Sequence, residues 1–485
     1  MRRFRHLALS GLLVIAAAAL WHNHPGLAPG MLDWAEPGNV AGALARGRSF
    51  SDPFDGGTGA TAWVSPLPAW VEALVFLALG VKTAASAKAL LVLTVFGLGA
   101  AHALLVSATE PFGEWAAAAT SAAFLAYCAL VPSGPLEVLS EAWLDILLSA
   151  ALLWAAIGAA RNPAGRAGAA LAAVSFLAPL ENAGLAAAAG LVILALAWSR
   201  RRDPRGLAVP AAAAAAALLT VSAWGWRNAA ALGRFIPLKS NFWFELHLAN
   251  VDSPDGLPRM ETVLRGLPYF DREQFARYAA LGEARYVDSF RAPALDALRA
   301  DPLHFAANVL RRAAQAAVSC RREGGGAFTN ARFDPGDEAR LCAAGELIGA
   351  GASRAFWTRI DAPPVRERAI LRSLGLRDGD GAWRDWSEKR LAYDRAFRGP
   401  AGLAAGLLTA GVPVAALLLA ALLGSGRLPA PGAWAAAIGF GMLLPYVLVN
   451  HNERHQLPLV AMQSVALGAC AQAAASRLGG ARQVP

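Results

Sequence analysis

The chain has 485 residues, of which 56% are hydrophobic and 16% charged, with a formal net charge of +9. Soluble domains carry about 25% charge, so this composition excludes an ordinary water-soluble enzyme and points to a membrane protein. The positive balance does not call for a nucleic-acid partner, because the arginines flank apolar segments in the manner of the positive-inside bias.

Taken in chain order, apolar segments fall at 7–21, 63–81, 84–107, 115–131, 138–160, 167–180, 182–199, 206–232, 401–424, 430–449 and 456–476. Most are long enough to cross a bilayer as helices. The segment 63–81 differs from the others. It carries Pro66, Pro68 and Glu72 between Trp63 and Trp70, which suits a re-entrant or interfacial helix. If it does not cross, Arg2, Arg3, Arg5, Arg161, Arg166, the cluster Arg200–Arg205 and the C-terminal arginines all fall on one side. The expected fold class is therefore an all-α polytopic membrane protein. It has about ten transmembrane helices, one re-entrant or interfacial helix and an α-rich extracytoplasmic domain. The expected divisions are residues 1–232 (a transmembrane catalytic module with outer loops 22–83 and 132–140), 233–400 (the extracytoplasmic domain) and 401–485 (C-terminal transmembrane helices).

Polar groups gather at span ends. Asp33 and Glu36 lie three residues apart. On a helix starting near Ala35 they share its N-terminus, where carboxylates cap. A carboxylate at a membrane rim can equally serve as a general base. Glu137, Glu141 and Asp145 follow an i, i+4, i+8 spacing and share one helix face, either as a wet helix end or as the lining of a water-filled cavity. Glu181 marks a break between two apolar runs. Arg227, Arg234 and Lys239 cluster around the end of the segment closing near Leu232, as loop charge or as an anion site. Arg454 lies in the short polar hinge from His451 to Pro458. Cys128 and Cys470 sit in apolar runs, and Cys320 and Cys342 share a polar region in which they could pair. His22 and His24 lack a third metal partner in sequence, and no P-loop, GxSxG or HExxH motif is present.

In this order the pieces resemble the GT-C superfamily of membrane glycosyltransferases. The nearest branch is family 39, with the protein O-mannosyltransferases and the aminoarabinose lipid A transferases. Asp33-Trp-Ala-Glu36, followed by Gly47-Arg-Ser-Phe-Ser51, resembles the family's acidic helix and its continuation. Ser65-Pro-Leu-Pro68 resembles its Pro-Leu-Tyr-Pro segment, and Leu139-Ser-Glu141 the acid opening the span after the second outer loop. Trp226-Arg-Asn228 through Asn250 resembles the stretch after a late family helix, and Glu453-Arg454 through Pro458 its Arg-Tyr-x-Leu-Pro motif. Trp34 stands where the family has a second acid, and Pro37 where it has a tyrosine.

The resemblance implies a glycosyltransferase that moves a sugar, with inversion, from a polyprenyl-phosphate donor to an extracytoplasmic lipid, glycan or protein. Asp33 is implied as the base, with Glu36 as the other candidate, and Glu141 as the group orienting the acceptor. Arg227, Lys239 and Arg454 are implied to hold the leaving phosphate. No cofactor or obligatory metal is expected beyond the donor lipid. The partners are membrane lipids, donor and acceptor, and the location is a bacterial inner membrane with the site on its periplasmic or extracellular face. A transporter or flippase would instead show paired broken helices and charges at mid-depth. A third reading is a non-catalytic GT-C-like binding protein.

Overall fold

A computed structural model of the chain describes residues 2–23, 35–54, 56–130, 142–162, 165–258, 262, 266–268, 271–318, 430–449 and 459–480. Among these residues the regular elements are all helical, and the extended pairing is one antiparallel bridge between Ser51 and Ala60. The helices are α1 (Arg2–Asn23), α2 (Ala35–Ala45), α3 (Pro66–Leu79), α4 (Ala84–Thr109), α5 (Glu114–Leu130), α6 (Ala142–Arg161), α7 (Arg166–Glu181), α8 (Ala183–Ser199) and α9 (Ala208–Leu232). Then come α10 (Phe242–Asn250), α11 (Arg272–Leu281), α12 (Glu283–Asp288), α13 (Arg291–Ala300), α14 (Pro302–Val318), α15 (Ala430–Leu448) and α16 (Val460–Gly480). The chain is an all-α polytopic membrane protein. Among the described residues, Ala84–Phe112, Ala142–Arg161, Ala208–Leu232 and Pro431–Leu448 are long and apolar enough to cross a bilayer. The expected span 401–424 lies outside the described residues.

Local chemistry sets the helix ends. Pro66 stands at the first position of α3, where its missing N–H is no loss. Gly80, at φ +91, ends that helix. Thr83 and Ser86 form a reciprocal capping box at the start of α4. Asn182 separates α7 from α8: its Oδ1 accepts from the Leu185 N–H at 2.7 Å, and its amide donates to Asp145 at the start of α6. The break expected at Glu181 is therefore a real helix boundary.

Helices α1, α4–α8, α15 and α16 enclose one large apolar core. Small residues let them approach closely, as membrane helices do. Gly97 lies under Trp143, Gly11 under the His102 ring, and a Cβ on Gly441 would stand 2.6 Å from the Ala188 Cα. His102 itself is buried, with Nε2 2.8 Å from the Ser121 hydroxyl. Cys128 is buried in this core, while Cys470 is only half-buried at its edge.

The bundle has two distinguishable rims. Gly11 meets His102 and Leu12 meets Gly99, so α1 and α4 are antiparallel. The Arg161 guanidinium lies over the Phe112 ring at 4.4 Å. Arg200 donates to the Ala159 and Ala160 carbonyls at 2.7 and 2.9 Å, and Gly113 abuts Gln472. The ends of α4, α6, α8 and α16 thus meet at one basic rim, next to the N-terminal end of α1. The opposite rim carries the Asn182–Asp145 contact and helices α2, α3 and α10–α14.

Helix α3 has 14 residues. At 1.5 Å per residue it spans roughly 21 Å, short of the about 30 Å of hydrocarbon. Trp70, Leu74 and Leu77 form an exposed apolar stripe, whereas Glu72, Ala73 and Phe76 face inward. This one-sided exposure suits a helix lying in the interface.

Candidate functional site

The loop-bearing rim is organised around a hairpin-like turn, residues 48–65. The Thr61 N–H donates to the Phe50 carbonyl at 3.1 Å and the Asp52 N–H to the Gly59 carbonyl at 2.9 Å. Asp52 is buried and adopts φ +61. Its carboxylate accepts from the Gly59 N–H and pairs with Arg48, both at 3.1 Å. An Asp tolerates this left-handed backbone better than most residues because its side chain bonds locally.

Three separate parts of the chain grip this turn. From α2, the Asn39 amide donates to the Pro53 carbonyl at 2.9 Å and accepts from the Lys82 ammonium at 2.5 Å. From α9, Arg227 donates to the Thr61 carbonyl at 2.5 Å and to the Phe50 carbonyl at 2.7 Å. Its guanidinium also lies about 5 Å from the Phe50 and Trp224 ring centroids, at 5.1 and 5.0 Å. From α12, the Glu283 carboxyl accepts from the Thr61 hydroxyl at 2.5 Å, the Ala62 N–H at 2.6 Å and the Tyr278 hydroxyl at 2.7 Å. The segment after α9 is drawn in as well. Trp224 and Asn228, four residues apart on one helix face, donate to the Leu238 and Ile236 carbonyls, and the Ser240 N–H donates to the Ala62 carbonyl at 2.8 Å.

Beneath these polar contacts lies a second core, mostly aromatic. Val40, Phe50, Phe54, Trp63, Leu180, Trp224, Phe244, Tyr278, Tyr286 and Phe290 belong to it. Trp63 meets Phe54 edge-on at 5.1 Å and Phe244 at 5.2 Å, and Tyr278 meets Phe54 at 4.9 Å. Such pairs are worth about 0.5–1.5 kcal/mol beyond their burial. Burial pushes the Glu283 carboxyl above its ordinary value, against the hydrogen bonds that it receives. Burial, and then the Glu283 charge, hold the Tyr278 phenol well above its own.

A third feature joins this rim to the C-terminal helices. Arg312 of α14 is fully buried. Its Nε donates to the Val447 carbonyl at 2.7 Å and its Nη2 to the Leu448 carbonyl at 3.1 Å. Nη1 reaches the Asn250 side chain at 3.3 Å and the Gly256 carbonyl at 3.2 Å. A cation thereby caps the end of α15, where carbonyls lack intrahelical partners and the helix dipole is negative. Burial lowers this guanidinium to about 10, so it stays charged at neutral pH.

Of the residues that the sequence nominated, Asp33, Glu141 and Arg454 lie outside the described residues, as do Glu137, the hinge 451–458, Cys320 and Cys342. Helix α2 begins at Ala35, and Glu36 sits half-buried in its first turn. It lies one turn before Val40, which enters the aromatic core. Lys239 is exposed, next to the docked Ser240. Arg234 is paired with Asp288. Arg227, expected to hold the phosphate, has its guanidinium bonded to the Thr61 and Phe50 carbonyls and close to two rings, where it fastens the turn. Segments carrying Glu36, Arg227 and Lys239 are thus brought to one turn. Glu283, Arg312 and Lys82 were not foreseen, because each is a single charged residue with partners far along the chain; Asp52 was not foreseen either, although its partners Arg48 and Gly59 are close in sequence.

No protein-family model matches the chain, and no curated protein matches it. Among solved structures, it is similar to the crystal structure of ArnT from Cupriavidus metallidurans bound to undecaprenyl phosphate, at 14% identity and a TM-score of 0.35, over 97% of this chain and 79% of that one.

Proposed function

We propose that the protein is a GT-C-type glycosyltransferase that uses a polyprenyl-phosphate sugar as donor, with its site on the loop-bearing rim. The observation that carries this reading is the convergence at the 48–65 turn. An acid-bearing helix, α2, and two cations, Lys82 and Arg227, are fastened there, beside an interfacial helix with an exposed apolar stripe. Such an edge suits a lipid whose head is anionic and whose tail stays in hydrocarbon. The ordered sequence motifs support the same reading.

The chemistry is an inverting displacement at the anomeric carbon. Asp33 takes the proton of the acceptor hydroxyl as it attacks, the bond to the donor phosphate breaks, and the phosphate leaves on its lipid. Glu36 is the second candidate for the base, and Glu141 orients the acceptor. The phosphate gains charge as it leaves and calls for cations placed in advance. Arg227, Lys239 and Arg454 take that role, with Lys82 beside them at the turn. Lysine serves it as a point charge.

Transfer from a polyprenyl-phosphate sugar by the protein purified in lipid tests this. Asp33→Asn is expected to lower turnover by about 10²–10⁴-fold with donor binding retained, and Lys82→Ala to weaken donor binding. Unchanged turnover in Asp33→Asn removes that residue from the mechanism. Absence of transfer from any polyprenyl-linked sugar removes the reading.

A further inference from the structure

At the basic rim α8 ends in Arg200-Arg-Arg-Asp-Pro-Arg205, a segment that turns back into α9. It lies one helix length from Asn182 on the other rim, about 25 Å for the 17 residues of α8, and so is separate from the 48–65 turn. The positive-inside bias accounts for charge of this sign on one rim. It does not account for how differently these arginines are used. Arg200 is half-buried and commits its guanidinium to the Ala159 and Ala160 carbonyls at the end of α6. Arg161 covers the Phe112 ring. These two hold the bundle together.

Arg201, Arg202 and Arg205 are exposed. Arg201 donates from Nη1 to the Trp198 carbonyl at 2.8 Å, and its guanidinium lies 4.4 Å over the Trp198 ring centroid, which leaves its other N–H groups for an acceptor. The side chains of Arg202 and Arg205 make no hydrogen bond or ion pair among the described residues. Asp203, the acid between them, does not neutralise them, because its Oδ1 accepts from the Arg205 backbone N–H at 3.1 Å. The loop is also closed on itself. The Asp203 N–H donates to the Arg200 carbonyl at 2.8 Å and the Leu207 N–H to the Asp203 carbonyl at 3.2 Å. A Cβ on Gly206 would stand 2.5 Å from an Asp203 carboxylate oxygen, so the turn has no room to spare. Three cations without an acidic partner are thus held on one short loop.

Beside them lies an apolar face. Leu194 and Trp198, four residues apart on one side of α8, are 66% and 70% exposed. On a helix of a membrane bundle such a face meets acyl chains, and a tryptophan at its end marks the boundary with the headgroups. Arg201, stacked on that tryptophan, is therefore level with the headgroups. The two features together select a ligand. Exposed arginines call for an anion. A free phosphate would leave Leu194 and Trp198 without a role, and a zwitterionic lipid would bring its own cation to the arginines. We propose that the 200–206 loop and the adjoining face of α8 bind an anionic phospholipid, with its phosphate on the arginines and its acyl chains along Leu194 and Trp198. The inference goes beyond the transferase reading and does not need it, because this lipid sits at the rim opposite the proposed donor site and takes no part in transfer.

The test uses the full chain in a neutral detergent, titrated with phosphatidylglycerol and with phosphatidylcholine of the same acyl chains, and bound lipid is counted by native mass spectrometry. Phosphatidylglycerol is expected to bind about tenfold more tightly than phosphatidylcholine. Arg202→Gln and Arg205→Gln are each expected to weaken it about fivefold, and the double variant about 25-fold, with phosphatidylcholine unaffected. Arg161, Arg166, Arg200 and Arg201 remain on this rim in the double variant, so insertion is retained, and unchanged thermal melting should show it. Trp198→Ala is expected to weaken both lipids alike. Arg299→Gln, at an exposed arginine of the opposite rim, should leave both unchanged. Glycerol phosphate, which has the same anionic group and no chains, should fail to displace the lipid even in large excess. Equal binding of the two lipids, wild-type affinity in the double variant, an equal loss in Arg299→Gln, or displacement by glycerol phosphate overturns the proposal.

Discussion

Glu283 ties together positions more than 200 residues apart: Thr61 and Ala62 in the first loop and Tyr278 in the domain that follows α9. Its carboxyl is buried and raised, and Arg227 is near enough to feel its charge. The unfolded chain ionises this carboxyl at the ordinary carboxylate value, and the folded chain ionises it higher. Between the two values the folded form holds the extra proton, so stability falls as pH rises through that window and is greatest below it. Glu283→Gln has nothing to ionise and is expected to flatten this slope in thermal melts at a series of pH values. An unchanged slope would assign the effect to another group. At this scale the sequence was least legible. Asp33 and Glu36 could be noticed because they stand beside an apolar run. Glu283 and Arg312 stand in polar surroundings, and only the folded chain shows that both are fully enclosed.

At the scale of elements the chain was far more legible. Hydropathy placed α4, α8 and α9 within a few residues of their observed bounds, because an apolar run in a membrane has few alternatives to a helix. The start of α2 near Ala35 was legible from the acids beside it. Pro66, Pro68 and Glu72 set α3 apart in the sequence, and the helix is short and buried on one side. A nitroxide attached through Leu74→Cys should report a shallow depth, within about 10 Å of the headgroup boundary. A reading near the bilayer midplane would make α3 a crossing helix and break the alternation of rims. What hydropathy could not show is how the turn 48–65 is held, since its grips are side chains on α2, α9 and α12, and neither pairing distance nor partner is encoded locally.

For the whole molecule, the contacts gather Arg161 and Arg200 at one rim, with the N-terminal end of α1 alongside. By the positive-inside bias that rim is expected to face the cytoplasm. A thiol introduced as Asp203→Cys should resist an impermeant reagent added to intact cells and react once they are opened. Labelling from outside would invert the orientation. The aromatic core has a further consequence. Its side chains come from the first loop, from Leu180 on α7, from Trp224 on α9 and from helices α10–α12, so the extramembrane part owns only half of its own interior. Residues 233–318 produced alone would present Phe244, Tyr278 and Phe290 to water with Trp63 and Trp224 missing, and should self-associate rather than behave as a free-standing ectodomain. The same fragment supplied together with residues 1–232 should be recovered in complex with them, since each piece carries the other's missing half.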